Sequence, residues 1–139
     1  MAHKHLYIII IGCGRMGSLL ADRYSKMGHS LVIIDPNPAS FSGLSSDFSG
    51  FTIEGDASEL SVLTLAKIAQ ADIVITATRN DNINLMVAQI AKDIYKVPVV
   101  LARVYDPKRE VIYRSMDVRT VCPTLLAAEE FIRQTEMGA

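Results

Sequence analysis

The chain has 139 residues, half of them hydrophobic and 21% charged. That length and composition fit one globular domain and exclude a disordered tail or a coiled coil. Fourteen Lys and Arg against fifteen Asp and Glu leave a net charge of -1, so no bulk cationic field exists for nucleic-acid binding.

Leu6–Ile11 is a continuous apolar run ending at Gly12 and reads as a strand buried on both faces. Met16, Leu19, Leu20, Tyr24 and Met27 follow at helical spacing, and Gly28 stops that helix. Leu31–Ile34 is a second buried strand, ending at Asp35. Residues 36–50 carry five serines, two prolines and two glycines; this composition predicts a loop with one helical turn around Phe41–Leu44. Phe51–Ile53 is a short third strand. Asp56 then reads as an N-cap, with Glu59 closing a capping-box-like pair and a helix running to about Ala69. Ile73–Ala77 is the fourth strand. Ile83, Met86, Val87, Ile90, Ala91 and Ile94 form a clear helical stripe. Val97–Ala102 is the fifth strand, and Asp106–Pro107 opens a short helix to about Arg114. Val118–Val121 is the sixth strand. Pro123 and Thr124 open a last helix to about Glu136, apolar at Leu125, Ala128, Phe131 and Ile132.

Strands alternating with helices at this spacing predict βαβ units and a parallel sheet. Six strands in this length make one doubly wound α/β domain over residues 1–139, of the Rossmann kind, with helices on both faces and strand order 3-2-1-4-5-6. No run is long enough to span a bilayer, and no signal peptide is visible. Cys13 and Cys122 are too few for a disulfide framework or a zinc site and read as reduced buried thiols. These features predict a soluble cytoplasmic protein with no direct membrane insertion.

Gly12-Cys13-Gly14-Arg15-Met16-Gly17 is a G-x-G-x-x-G loop between a predicted strand and a predicted helix, the context in which the pattern signals nucleotide binding. Gly12 permits the tight turn, Gly14 lets a phosphate approach the backbone, and Gly17 lets helix and strand pack closely. Asp35 lies eighteen residues after Gly17, where its carboxylate would accept ribose hydroxyls and repel a 2′-phosphate. Adenosine or NAD ligands are therefore favoured over NADP. Arg15 sits in a first helical turn, where the macrodipole disfavours a cation unless an anion is present. Asp56, Arg79 and Arg103 follow strands three, four and five, and the carboxyl ends of the strands are where open α/β sheets bind ligands. His3 and His5 lie on the N-terminal tail and His29 at the opposite sheet edge. No general acid stands out for a dehydrogenase, and no G-K-[ST] phosphate loop is present. The reading is of a binding protein, not an enzyme.

The glycine loop, Asp35, Gly55-Asp56-Ala57, the T-x-x-D-x-x-N segment Thr78–Asn84, and Ala102-Arg103-Val104 with Asp106-Pro107 together resemble the N-terminal domain of regulators of potassium conductance. These are the RCK or KTN domains of Trk/Ktr-type systems. The resemblance covers nearly the whole chain. It implies a nucleotide sensor that takes ATP, ADP, AMP or NAD(H) and changes the geometry of a homodimer or ring, which acts on a membrane potassium transporter or channel. By resemblance, Gly12, Gly14 and Arg15 would hold phosphates and Asp35 ribose. Asp56 and Ala57 would contact adenine, and Arg103 would reach phosphates at a dimer interface. Met16, Gly17, Thr78 and Arg79 complete the candidate cofactor-binding set. The last helix would pack on its own sheet or on another chain. Two rivals stay open: the cofactor half of an NAD-dependent oxidoreductase, and the nucleotide-binding domain of a cation antiporter. The family usually carries a second small ligand-binding domain, and residues 36–50 are more serine-rich than the charged helix expected there.

Overall fold

The computed structural model describes residues 4–137; His3 lies outside them. Six strands form one all-parallel sheet: β1 (Tyr7–Ile11), β2 (Ser30–Asp35), β3 (Phe51–Glu54), β4 (Ile73–Thr76), β5 (Val99–Arg103) and β6 (Arg119–Val121). Their order is β3-β2-β1-β4-β5-β6, the doubly wound order expected. The register pairs Ile9 with Val32 on one side and Val74 on the other, so the isoleucine run lies at the centre of the sheet. Ile8, Ile9 and Ile10 have no solvent exposure, which is why this strand is apolar at every position rather than alternating.

Successive side chains point to opposite faces, and each face has its own core. On one face Ile8, Ile10, Leu31 and Ile33 pack with Leu20, Ala21, Tyr24, Phe41 and Leu44, from helix α1 (Arg15–Lys26) and the segment after β2. On the other, Ile9, Ile11, Val32, Ile34 and Val74 pack with Leu63, Ala66, Val87, Ala91 and Tyr113. These come from α2 (Leu60–Leu65), α3 (Asp81–Gln89) and α4 (Glu110–Ser115) and their flanks. Both cysteines are buried and unpaired, as expected.

Four local departures from the expected elements have physical causes. Residues 38–43 form a 3₁₀ helix, earlier and longer than the predicted turn, because the Asn37 side chain caps it at the Ala39 N–H. The Asp56 N-cap and its pairing with Glu59 are not formed. Instead the Asp56 carboxylate accepts the Ser58 N–H at 2.8 Å and the Ser58 hydroxyl at 2.6 Å, closing a tight turn. Glu59 stays extended as the cap residue. That helix also ends before Ala69, since Lys67 turns left-handed at φ 57° and a 3₁₀ turn follows over Ile68–Gln70. The predicted stripe through Ile94 is continuous, but its last five residues widen into a π-helix.

The last helix, α5 (Pro123–Met137), has no buried residue. Phe131 is 74% exposed and Ile132 58%, so own-sheet packing does not occur. Among the described residues no helix is long and apolar enough to cross a membrane.

Candidate functional site

The carboxyl ends of the central strands open into a cleft of about 580 Å³. Ten of the eleven candidate residues line it: Gly12, Gly14, Arg15, Met16, Asp35, Asp56, Ala57, Thr78, Arg79 and Arg103. Gly17 lies beneath. Ile83, Ser40 and Tyr105 also line the cleft; Ile83 reads in sequence only as part of the apolar helical stripe, and Ser40 and Tyr105 carried no signal at their own positions, although Tyr105 stands two residues past Arg103.

Each glycine of the loop has a distinct steric reason. Gly12 adopts φ +102°, and a Cβ there would lie 3.0 Å from the Ala77 carbonyl and the Thr78 nitrogen. Gly17 is packed so closely that a Cβ would sit 1.8 Å from the Gly12 oxygen. Gly14 is the opposite case: a Cβ would meet no protein atom within 4 Å. Its missing side chain serves the open space above the loop rather than the fold. Gly14 is also the N-cap of α1, and no side chain caps that end. The first-turn N–H groups of α1 therefore face the cleft without side-chain acceptors, a ready site for an anion.

Asp35 does more than the sequence shows. Its carboxylate accepts the Cys13 N–H and the Asn37 N–H, both at 2.8 Å. One side chain thus holds the glycine loop against the end of β2. A carboxylate has about four lone-pair sites, so each oxygen keeps capacity for a ribose hydroxyl. The Cys13 thiol behind the loop lies 3.4 Å from the Ser40 carbonyl. Burial, aided by the Asp35 and Asp22 charges, pushes it up to about 11, so it stays a thiol at neutral pH. Asp56 is held below the usual carboxylate range by the Ser58 hydrogen bonds, so it is a carboxylate too.

The cationic side of the cleft is Arg15, Arg79 and Arg103. Arg15 and Arg79 are exposed and Arg103 is half-buried. The Arg103 guanidinium carbon stands 5.4 Å from the Tyr105 ring centre, a favourable cation–π distance. Its Nε is buried with no hydrogen-bond partner, which is costly unless an acceptor arrives. An uncapped helix end, an open cradle at Gly14, an orphaned guanidinium nitrogen and a free-sided carboxylate fit a phosphate and a ribose on one ligand.

The strand ends that carry these groups are tied together from α3. The fully buried Asn84 accepts the Thr78 N–H at 3.0 Å and the Thr78 hydroxyl at 2.6 Å. Its amide nitrogen donates to the Thr78 and Arg103 carbonyls, each at 3.0 Å. Buried Asp81 accepts the Tyr105 and Asp106 N–H groups at 2.6 and 3.0 Å, and its own carbonyl accepts the Tyr113 hydroxyl. The signal for both was the T-x-x-D-x-x-N spacing, which marks the family without revealing this clasp. His29 lies at the amino end of the sheet, where its Nδ1 accepts the Leu6 N–H at 3.1 Å, far from the cleft, as expected.

The TrkA-N domain family model matches residues 8–123. The Trk system potassium uptake protein TrkA of Streptomyces coelicolor is 34% identical over 129 residues, covering 93% of this chain and 58% of that protein. The chain spans about half the length of the curated relatives it matches. Among solved structures, GsuK bound to ADP superposes with a TM-score of 0.82 at 21% identity, over 96% of this chain and 35% of that one. The Kef CTD of Shewanella denitrificans in its AMP-bound form gives 0.80 at 24% identity, over 96% and 82%. At these identities the two structures establish a shared fold.

Proposed function

The chain belongs to the TrkA-N domain family, and from that premise we propose that its cleft binds an adenine nucleotide and that the bound nucleotide regulates a membrane potassium transporter or channel. Residues 1–139 act as one nucleotide-binding domain on the cytoplasmic side. The observation that carries the reading is the convergence of the glycine loop, Asp35 and three guanidinium groups on one cleft at the carboxyl edge of the sheet. The Streptomyces relative is a potassium uptake protein, and neighbours of this fold are described with ADP and AMP bound.

When bound, the nucleotide supplies a phosphate charge and a ribose. Arg15, Arg103 and the α1 N-terminus neutralise the first, and Asp35 accepts hydrogen bonds from the second. Asp35 also repels a 2′-phosphate, so ATP, ADP, AMP and NAD(H) are favoured over NADP. The titratable groups lining the cleft are guanidinium groups, carboxylates and one phenol, a set suited to holding an anion rather than to proton transfer near neutral pH. Coupling to a transporter requires that the ligand bind two assembly states with different affinity. The uncovered apolar residues of α5 support a homodimer or larger homo-oligomer as the assembly.

A thermal-shift panel with ATP, ADP, AMP, NAD, NADH and NADPH at equal concentration tests this. A ligand at about 100 times its Kd adds roughly 2.7 kcal/mol, several degrees for a domain of this size. Stabilisation by ATP, ADP or AMP is the expected result. Stabilisation by NAD or NADH alone moves the reading towards a redox sensor or a dehydrogenase half. An NADPH preference overturns the role of Asp35, and no shift with any of the six overturns the site.

A further inference from the structure

We propose that Asn84 is the positioning residue of this site, fixing the main chain beneath Arg103 so that its guanidinium meets the ligand's phosphate. The inference rests on the nucleotide reading above and goes beyond it, because Asn84 does not line the cleft.

A carboxamide has two donors and two acceptor sites, and all four are used here. The oxygen holds the Thr78 N–H and hydroxyl, and the nitrogen holds the Thr78 and Arg103 carbonyls. No other residue type of this size can donate twice and accept twice from one planar end. Aspartate keeps the acceptors and loses both donors, while leucine loses everything. Full burial means water cannot replace the missing partners.

The geometry then explains why Arg103 is the beneficiary. Its carbonyl is held by Asn84, and the next two N–H groups but one are held by Asp81 at Tyr105 and Asp106. The backbone from the Arg103 carbonyl to Asp106 is thus gripped from the first two turns of α3. The Arg103 side chain has no hydrogen bond to hold its buried Nε, and its guanidinium stands over the Tyr105 ring. A long side chain with no hydrogen bond at its buried Nε depends on its main chain for aim. Asn84 also fixes Thr78, two residues past the end of β4, which ties the ends of β4 and β5 together at the floor of the cleft.

Calorimetric titration of the 139-residue chain with ADP and with adenosine tests this, using Asn84→Asp, Arg103→Ala and the double variant. The expected result is a loss of about tenfold or more in ADP affinity for Asn84→Asp, with adenosine affinity changed less than about twofold. In the double variant, ADP binding matches Arg103→Ala alone, because contacts that act as one unit are not additive. If Asn84→Asp does not fold, Asn84→Ser carries the same comparison without burying a charge. Equal losses for ADP and adenosine, or additive losses in the double variant, overturn the proposal and leave Asn84 a purely structural residue. Wild-type chain that gives no heat with ADP overturns the nucleotide reading, and this inference with it.

Discussion

Replacing Gly14 with alanine separates binding from folding. Gly14 has φ -82° and ψ -159°, a conformation alanine adopts without strain, and the added Cβ meets nothing within 4 Å. Two small effects oppose each other. Alanine is a poorer N-cap than glycine, a cost below about 1 kcal/mol. Its restricted unfolded chain returns about 0.4–1 kcal/mol. The net change in stability is therefore under about 1 kcal/mol, or a few degrees in Tm. The same methyl group projects into the space where a phosphate approaches the α1 N–H groups, so ADP affinity should fall at least about tenfold, about 1.4 kcal/mol. Gly17→Ala is the contrasting variant. Its Cβ would lie 1.8 Å from the Gly12 oxygen, and backbone must move to admit it, so a loss of more than about 2 kcal/mol in stability is expected. Denaturant unfolding and calorimetry on the two variants read both quantities. A Gly14→Ala protein that unfolds as readily as Gly17→Ala, or that binds ADP like the wild type, refutes the assignment of that space to phosphate.

Asp35→Ala removes the acceptor of two loop N–H groups and a ribose ligand together. Calorimetry should show ADP affinity down at least several-fold, with stability lower by about 1–3 kcal/mol; unchanged affinity would remove Asp35 from the site. Two raised groups predict an alkaline loss of stability. The Cys13 thiol moves from 9.0 to about 11 and the Tyr113 phenol from 10.0 to about 12, each chiefly through burial. The unfolded chain releases these protons first, so their contribution is complete below about pH 9 and declines as pH rises towards 11 and 12. Urea midpoints should fall between pH 8.5 and about 10.5, less steeply in Cys13→Ala, and iodoacetamide should label Cys13 slowly at pH 7.5. Rapid labelling in the folded protein would contradict the buried thiol.

The fold was legible because its signals are strong and local. Four consecutive isoleucines before Gly12 can be buried only in the middle of a sheet covered on both faces, and the glycine loop fixes where the chain turns into α1. The cleft edge follows from topology alone, which is why residues scattered from Gly12 to Arg103 can be assigned to one rim from the sequence, and they line one cleft. The failures lie where short polar side chains choose among competing turns. Asp56 had two available partners, the N–H of a capping position and that of Ser58, and the nearer one won. Such choices differ by fractions of a hydrogen bond and leave no periodicity to read. The exposed face of α5 was undecidable for another reason. The pattern of Leu125, Phe131 and Ile132 states that the helix has an apolar side, while only the three-dimensional placement states that its own sheet does not cover it.

The segment that most distinguishes this chain from other glycine-loop proteins makes the same point from the other direction. Of Thr78, Asp81 and Asn84, which mark the family resemblance together, the sequence makes only Thr78 a candidate contact. In the structure Asp81 and Asn84 are buried and committed to protein partners, and Thr78 alone of the three lines the cleft. The pattern is better understood as the means of holding β4, β5 and the start of α4 in one register. Arg103, whose buried Nε has nothing of its own to hold it, is the residue that most needs that register. A motif can therefore mark a family through buried residues that hold the main chain around a cleft without lining it.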